Sequence, residues 1–139
     1  MTRQLIIYRK KEVKSESNRE KSNILLVEDN TINQKIIMKL LESIGIRADL
    51  AKDGLEAIRL IQTNNYDLVL MDVYMPNMDG LTATRKLRDE GIQIPIIALT
   101  ATLEEKDIRK CLDAGMNDCL AKPIEKEKLQ EMLDKYLYN

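Results

Sequence analysis

The chain contains no histidine, no tryptophan and no phenylalanine. Without histidine there is no imidazole general base, no histidine triad and no histidine-ligated zinc, so any chemistry rests on oxygens and lysine. Cysteine is scarce. The two present, Cys111 and Cys119, match no metal or redox spacing, and they read as small, reduced thiols of a cytoplasmic protein. No run of about eighteen apolar residues occurs, so nothing here is written to span a membrane. The stretch Leu5-Ile6-Ile7-Tyr8 is too short to be the apolar region of a signal peptide.

What is present suits one ordinary domain: 139 residues with 44% hydrophobic content, enough to bury a core. Charge divides the chain unevenly. Residues 1–22 hold seven Lys or Arg against Glu12, Glu16 and Glu20, so this stretch carries +4 and the rest −5 of a formal total of −1. A basic leader invites a nucleic-acid or lipid reading, but this one has no helical apolar stripe and a single aromatic, Tyr8. It is read as a solvated linker or leader, binding no nucleic acid directly, and residues 23–139 as the folded domain.

From Asn23 onward, apolar runs suited to buried parallel strands alternate with amphipathic stretches of helical period. The pattern predicts strands at 23–28, 46–51, 67–72, 94–99 and 117–121, and helices near 31–44, 54–64, 81–90, 103–114 and 125–137. Thr31 with Gln34 and Thr102 with Glu105 have capping-box spacing, Asp53 is placed to cap the second helix, and Gly45 and Gly115 sit where helices should stop. On the first helix Ile37, Leu40, Leu41 and Ile44 form an inward stripe. Ile32 and Ile36 fall on another face, as a docking patch or as scattered surface apolar residues.

Glu28, Asp29 and Asp72 directly follow two of these apolar runs, while Thr100 and Lys122 follow two more. The strand ends of a parallel α/β sheet face one crevice, so these five residues converge. Clustered carboxylates repel unless a cation offsets them, and oxygen-only ligands point to Mg²⁺ or Mn²⁺. Magnesium favours one or two carboxylates plus phosphate oxygens, which implies a phosphoryl group as the missing part of its shell. Asp72 is the candidate nucleophile, Lys122 the ammonium that pairs with the cluster and then with a phosphoryl oxygen, and Thr100 a hydroxyl donor to another oxygen.

Val27-Glu28-Asp29-Asn30, Leu70-Met71-Asp72, Met75-Pro76-Asn77-Met78-Asp79-Gly80, Ala98-Leu99-Thr100-Ala101 and Ala121-Lys122-Pro123 closely resemble the receiver domain of two-component response regulators, over about residues 23 to 138. The resemblance implies a flavodoxin-like (βα)₅ fold, a three-layer α/β sandwich with strand order 2-1-3-4-5. It implies that Asp72 accepts a phosphoryl group from a histidine kinase or histidine phosphotransfer domain, as a signalling domain rather than an enzyme. By the same match Asp29, Asp72 and the backbone carbonyl of Tyr74 bind Mg²⁺ with help from Glu28, while Thr100 and Lys122 contact the phosphoryl group. Asn30-Thr31-Ile32-Asn33-Gln34-Lys35, Ala83-Thr84-Arg85 and Ala114-Gly115-Met116 look most like receivers of hybrid sensor kinases, with a stand-alone regulator as the alternative. A monomer or weak dimer is expected.

One position departs from the family. Three residues before the lysine, many receivers carry a Tyr or Phe that rotates on activation, whereas here it is Cys119. The face of the fourth helix, fifth strand and fifth helix is therefore expected to respond less, or by another route. Tyr74 and Thr102, two places after Asp72 and Thr100, flank the expected water path to an acyl phosphate. An aspartyl phosphatase of the haloacid dehalogenase type shares the strand-end Asp but needs a second Asp two residues on, where Tyr74 stands. A nucleotide or flavin module lacks its glycine-rich phosphate loop here, and a degenerate, interaction-only receiver fits poorly with five intact site residues.

Overall fold

The computed structural model describes residues 23–138, so the basic leader lies outside the described residues. Strands β1 (Asn23–Val27), β2 (Arg47–Ala51), β3 (Leu68–Asp72), β4 (Ile96–Thr100) and β5 (Asp118–Ala121) alternate with helices α1 (Thr31–Ile44), α2 (Gly54–Thr63), α3 (Gly80–Asp89), α4 (Glu105–Ala114) and α5 (Lys126–Leu137). All strand pairs are parallel, in the order β2-β1-β3-β4-β5. This is the expected doubly wound topology, and it sets β3 at the centre with every strand running toward one edge of the molecule.

The apolar runs explain the layers. A strand covered on both faces must be apolar at every position, and Leu68-Val69-Leu70-Met71 is buried throughout. Alternate side chains then serve two cores. Ile24, Leu26, Leu70 and Leu99 pack with Ile37 and Leu41 of α1 and Leu129 and Leu133 of α5. On the other face Leu25, Val27, Val69 and Met71 pack with Ala57 and Ile61 of α2, Ala83 and Leu87 of α3, and Cys111 of α4. Each fully buried Leu or Ile contributes about 1.5–3 kcal/mol by leaving water. Among the described residues no helix is long and apolar enough to cross a membrane.

Element boundaries needed correction at several places. Predicted strands began too early at 46, 67, 94 and 117, because apolar character alone does not mark where pairing begins. Ile46 closes the preceding helix by donating its N–H to the Leu41 carbonyl at 2.9 Å. β4 starts after Pro95 and runs one residue further, through Thr100. Neither predicted capping box forms. Asn30, not Thr31, caps α1, its side chain accepting from the Asn33 N–H, and Gln34 instead donates to the Glu28 carbonyl. The Thr102 hydroxyl accepts from the Glu104 N–H at 2.9 Å, so it organises the turn before α4, which begins at Glu105 rather than 103. Asp53 caps α2 as expected, and Gly45 and Gly115 end their helices in left-handed geometry at φ 88° and 110°.

Candidate functional site

The C-terminal ends of β1, β3, β4 and β5 meet in one crevice. The chain leaves β1 through Glu28 and Asp29, and it leaves β5 through Lys122, whose peptide bond to Pro123 is cis. Asp72 and Thr100 are the last residues of β3 and β4. Glu28, Asp29 and Asp72 each offer an oxygen within 4.8 Å of the others. Glu28 and Asp72 are buried, whereas Asp29 is exposed at the rim.

Lys122 bridges the two buried acids. Its Nζ lies 3.0 Å from Glu28 Oε1 and 3.1 Å from Asp72 Oδ1. The position of Lys122 is fixed from the backbone, since its N–H donates to the Thr100 carbonyl at 2.8 Å. Glu28 is fixed as well. Its Oε2 accepts from the Asn30 N–H at 3.0 Å and its carbonyl from Gln34 Nε2 at 2.7 Å. The sequence names both residues without these roles. Asn30 acts here through its backbone N–H, which leaves no side-chain signal, and Gln34 turns back to the Glu28 carbonyl instead of closing a capping box.

Electrostatics follow from burial. Loss of solvent pushes the Asp72 carboxyl up, and the neighbouring Glu28 charge adds to this, outweighing Lys122. Burial alone would lower the Lys122 ammonium, but Glu28 and Asp72 more than reverse it and hold the lysine charged. The site therefore carries two acids against one ammonium, with a third carboxylate at its rim. A hard divalent cation fits that donor set. Among the described residues no backbone N–H donates to the Tyr74 carbonyl, and Tyr74 is 64% exposed.

Thr100 is at the site but is turned to its own loop. Its hydroxyl donates to the Thr102 carbonyl at 3.2 Å and accepts from the Thr102 N–H at 3.4 Å. Gly80, legible in the sequence only as the end of a motif, has a packing role beside Asp72. A Cβ there would collide with the Asp72 carbonyl oxygen and come within 2.8 Å of Met71 Cγ, so only glycine lets the start of α3 pack against the end of β3. The loop between them is tied back by Asn77, which adopts φ 67° and donates from Nδ2 to Asp53 Oδ2 at 2.8 Å.

Cys119 sits on β5 opposite Ala98 of β4 and packs into the same core as Cys111. Both thiols are free. Burial, with the adjacent Cys111, pushes the Cys119 thiol up to about 12, so neither behaves as a reactive thiolate. Ile32 and Ile36 stand out from α1 at 68% and 49% exposure. Beside them a small cleft of about 40 Å³ is lined by Ile36, Ile37, Pro123 and Ile124 and borders Lys122.

Comparison with known proteins agrees with this geometry. A family model described as response regulator receiver domain matches residues 24–134. Two-component system protein A of Emericella nidulans is 42% identical over 119 residues, which is 84% of this chain and 17% of that protein. The sensor histidine kinase RcsC of Escherichia coli is 36% identical, over 88% of this chain and 13% of that protein. The chain thus spans less than a fifth of the length of these relatives. Among solved structures, the receiver domain of a sensor histidine kinase from Pseudomonas aeruginosa, with magnesium coordinated in its active-site cleft, superposes with a TM-score of 0.77 at 46% identity, covering 83% of this chain and 96% of that one. The receiver domain of a Saccharomyces cerevisiae response regulator, solved in complex with a histidine phosphotransfer protein, gives a TM-score of 0.78 at 34% identity, covering 83% and 88%.

Proposed function

The chain belongs to the response regulator receiver domain family, and from that premise we propose that Asp72 takes a phosphoryl group from a phosphohistidine on a histidine kinase or phosphotransfer domain. The observation that carries this reading is the shared ammonium. Lys122 lies within 3.1 Å of both Asp72 and Glu28, where it offsets part of the charge of the resting cluster and is poised for an incoming phosphoryl oxygen.

The chemistry asks little of the protein beyond placement and charge. An Asp72 carboxylate oxygen attacks phosphorus as the P–N bond of the donor breaks, and the electron pair of that bond leaves with the donor imidazole. Asp29, Asp72 and the Tyr74 carbonyl, with Glu28 behind them, would hold Mg²⁺ or Mn²⁺, whose charge offsets the carboxylates and the phosphoryl oxygens. Lys122 keeps its proton throughout and shifts from Asp72 Oδ1 toward the phosphoryl group. Thr100 releases Thr102 and donates to a second phosphoryl oxygen. Gly80 and Asn77 hold the loop after Asp72 in place for this exchange. Ile32, Ile36 and the cleft at Pro123 and Ile124 form an apolar approach beside Lys122, which suits the docking of the donor domain. The likeness to hybrid sensor kinases makes a phosphotransfer domain the natural donor.

Intact-mass analysis after incubation with acetyl phosphate tests this. One Mg²⁺-dependent phosphoryl adduct is expected on the wild type and none on Asp72→Asn. Undiminished incorporation in that variant would overturn the assignment of Asp72.

A further inference from the structure

Strand β2 ends the sheet and pairs only with β1 among the described residues. The direction of its free groups follows from one bond. The Glu28 N–H donates to the Ala51 carbonyl at 3.0 Å, so Ala51 points its backbone groups at β1. By alternation Asp49 and Arg47 do the same, and Ala48 and Leu50 present theirs to the open edge. An edge with unpaired backbone groups is a template for another strand.

The side chains along that edge complement themselves. Ala48 and Leu50 lie on the α1 side, opposite Ile24 and Leu26 of β1. Arg47 and Asp49 lie on the α2 side, where Asp49 Oδ2 accepts from the Tyr66 hydroxyl at 2.7 Å. We infer that two copies of this chain associate through antiparallel pairing of their β2 strands, centred on Ala48 against Ala48. In that register Arg47 of each copy faces Asp49 of the other, and Leu50 of each faces Ile46 of the other. The two Ala48 residues exchange both backbone hydrogen bonds, as their outward groups require. Neighbouring registers do worse. Centring on Asp49 sets like carboxylates opposite each other, and centring on Leu50 faces Asp49 with Ala51 and Arg47 with Asp53, which lies beyond β2 and already accepts from the Glu56 N–H and Asn77.

A place for the incoming side chain exists. A groove of about 510 Å³ runs between α1 and β2, with Met38, Leu41, Ile46 and Ala48 as its apolar lining and Asn23, Lys39, Glu42, Arg47 and Asp49 along its polar rim. Leu50, 39% exposed in the single copy, reaches the matching groove of the second. The strands of the two copies run oppositely, so the crevices face away from each other and both stay open to a donor. A five-residue edge covers much less than a standard interface, so the association is weak and concentration-dependent. This association does not depend on the phosphoacceptor reading.

Sedimentation and NMR diffusion of the full chain from about 10 µM to 2 mM test the proposal. A dimer in the upper part of that range is expected, with amide exchange slowed at Ala48 and Leu50 as concentration rises. Arg47→Asp, which opposes two carboxylates, should weaken the dimer at least tenfold, and the double swap Arg47→Asp/Asp49→Arg should return it to within about threefold of the wild type. Ala48→Pro removes an outward N–H that β1 does not use, and should abolish association with a melting temperature close to that of the wild type. A monomer at every concentration, or a double swap no better than the single variant, overturns the proposal. Slow exchange at Ala48 and Leu50 that is independent of concentration also overturns it, assigning the edge to another segment of the same chain.

Discussion

Lys122 joins stability to the proposed chemistry in a single side chain. It answers a fully buried carboxylate, Glu28, and a nearly buried one, Asp72. Removing one member of such an arrangement leaves an uncompensated charge out of water, at a cost of roughly 3 kcal/mol. Lys122→Ala should therefore lower stability in urea by about that amount without metal, and Mg²⁺ should restore part of it while phosphorylation stays impaired. Equal loss of Mg²⁺ affinity would mean the lysine helps to hold the metal rather than the phosphoryl group. At this scale the convergence of these side chains is legible in the sequence, because each follows an apolar strand run and parallel strands end at one edge. Orientation was not legible. That Thr100 turns to Thr102 and that Asn30 and Gln34 hold Glu28 depend on loop torsions, which no residue pattern spells out. The collision that Gly80 avoids is equally invisible until α3 and β3 are placed together.

Helix ends are the least legible part of this sequence, and they matter because helix starts surround the crevice. At α1 the cap moved from Thr31 to Asn30, and at α4 the Thr102 hydroxyl went to a loop N–H. Spacing nominates a capping residue, but the chain's path into the helix decides which oxygen reaches the free N–H. Asp53 was correctly foreseen, and it ties α2 to the loop after Asp72 by accepting from the Glu56 N–H at 2.9 Å and from Asn77. Those bonds, led by Glu56, hold its carboxyl below the ordinary value. A carboxyl lowered on folding contributes stability above its unfolded value of about 3.9, and that contribution is lost as pH falls through the lowered folded value. Wild type should accordingly lose more stability between pH 5 and 3 than Asp53→Asn, whose amide still caps but does not titrate. Equal slopes in urea titrations would count against it. On the outer face of α1, Ile36→Lys should slow phosphoryl transfer from a phosphorylated histidine phosphotransfer domain about tenfold, the effect of losing roughly 1.4 kcal/mol of docking energy. Labelling by acetyl phosphate, which needs no docking, should be unchanged, and a parallel loss of both would show that the variant damages the site itself.

The order β2-β1-β3-β4-β5 places Asp72, the proposed phosphoacceptor, at the centre and the face of α4, β5 and α5 two strands away. A signal from Asp72 to that face must cross β4, and Thr100 at its end is the natural first step. Beyond it lies a cleft of about 40 Å³ bounded by Leu81, Thr100, Thr102 and Cys111. Cys111 lines that cleft, and Cys119 is small, half-buried and packed in the same core as Cys111, so it displaces little volume when Thr100 moves. Interiors transmit shifts through groups that have two distinct packings, and a small thiol offers few. The expected outcome of beryllofluoride binding is large amide shifts at residues 72–80 and 100–102, with much smaller ones over 103–120. In Cys119→Tyr the affected region should extend into α4 and β5. Shifts over 103–120 in the wild type as broad as those at the site would show that this chain relays its signal without an aromatic, through backbone movement of the β4–α4 loop, where Thr102 already holds both Thr100 and the N–H of Glu104.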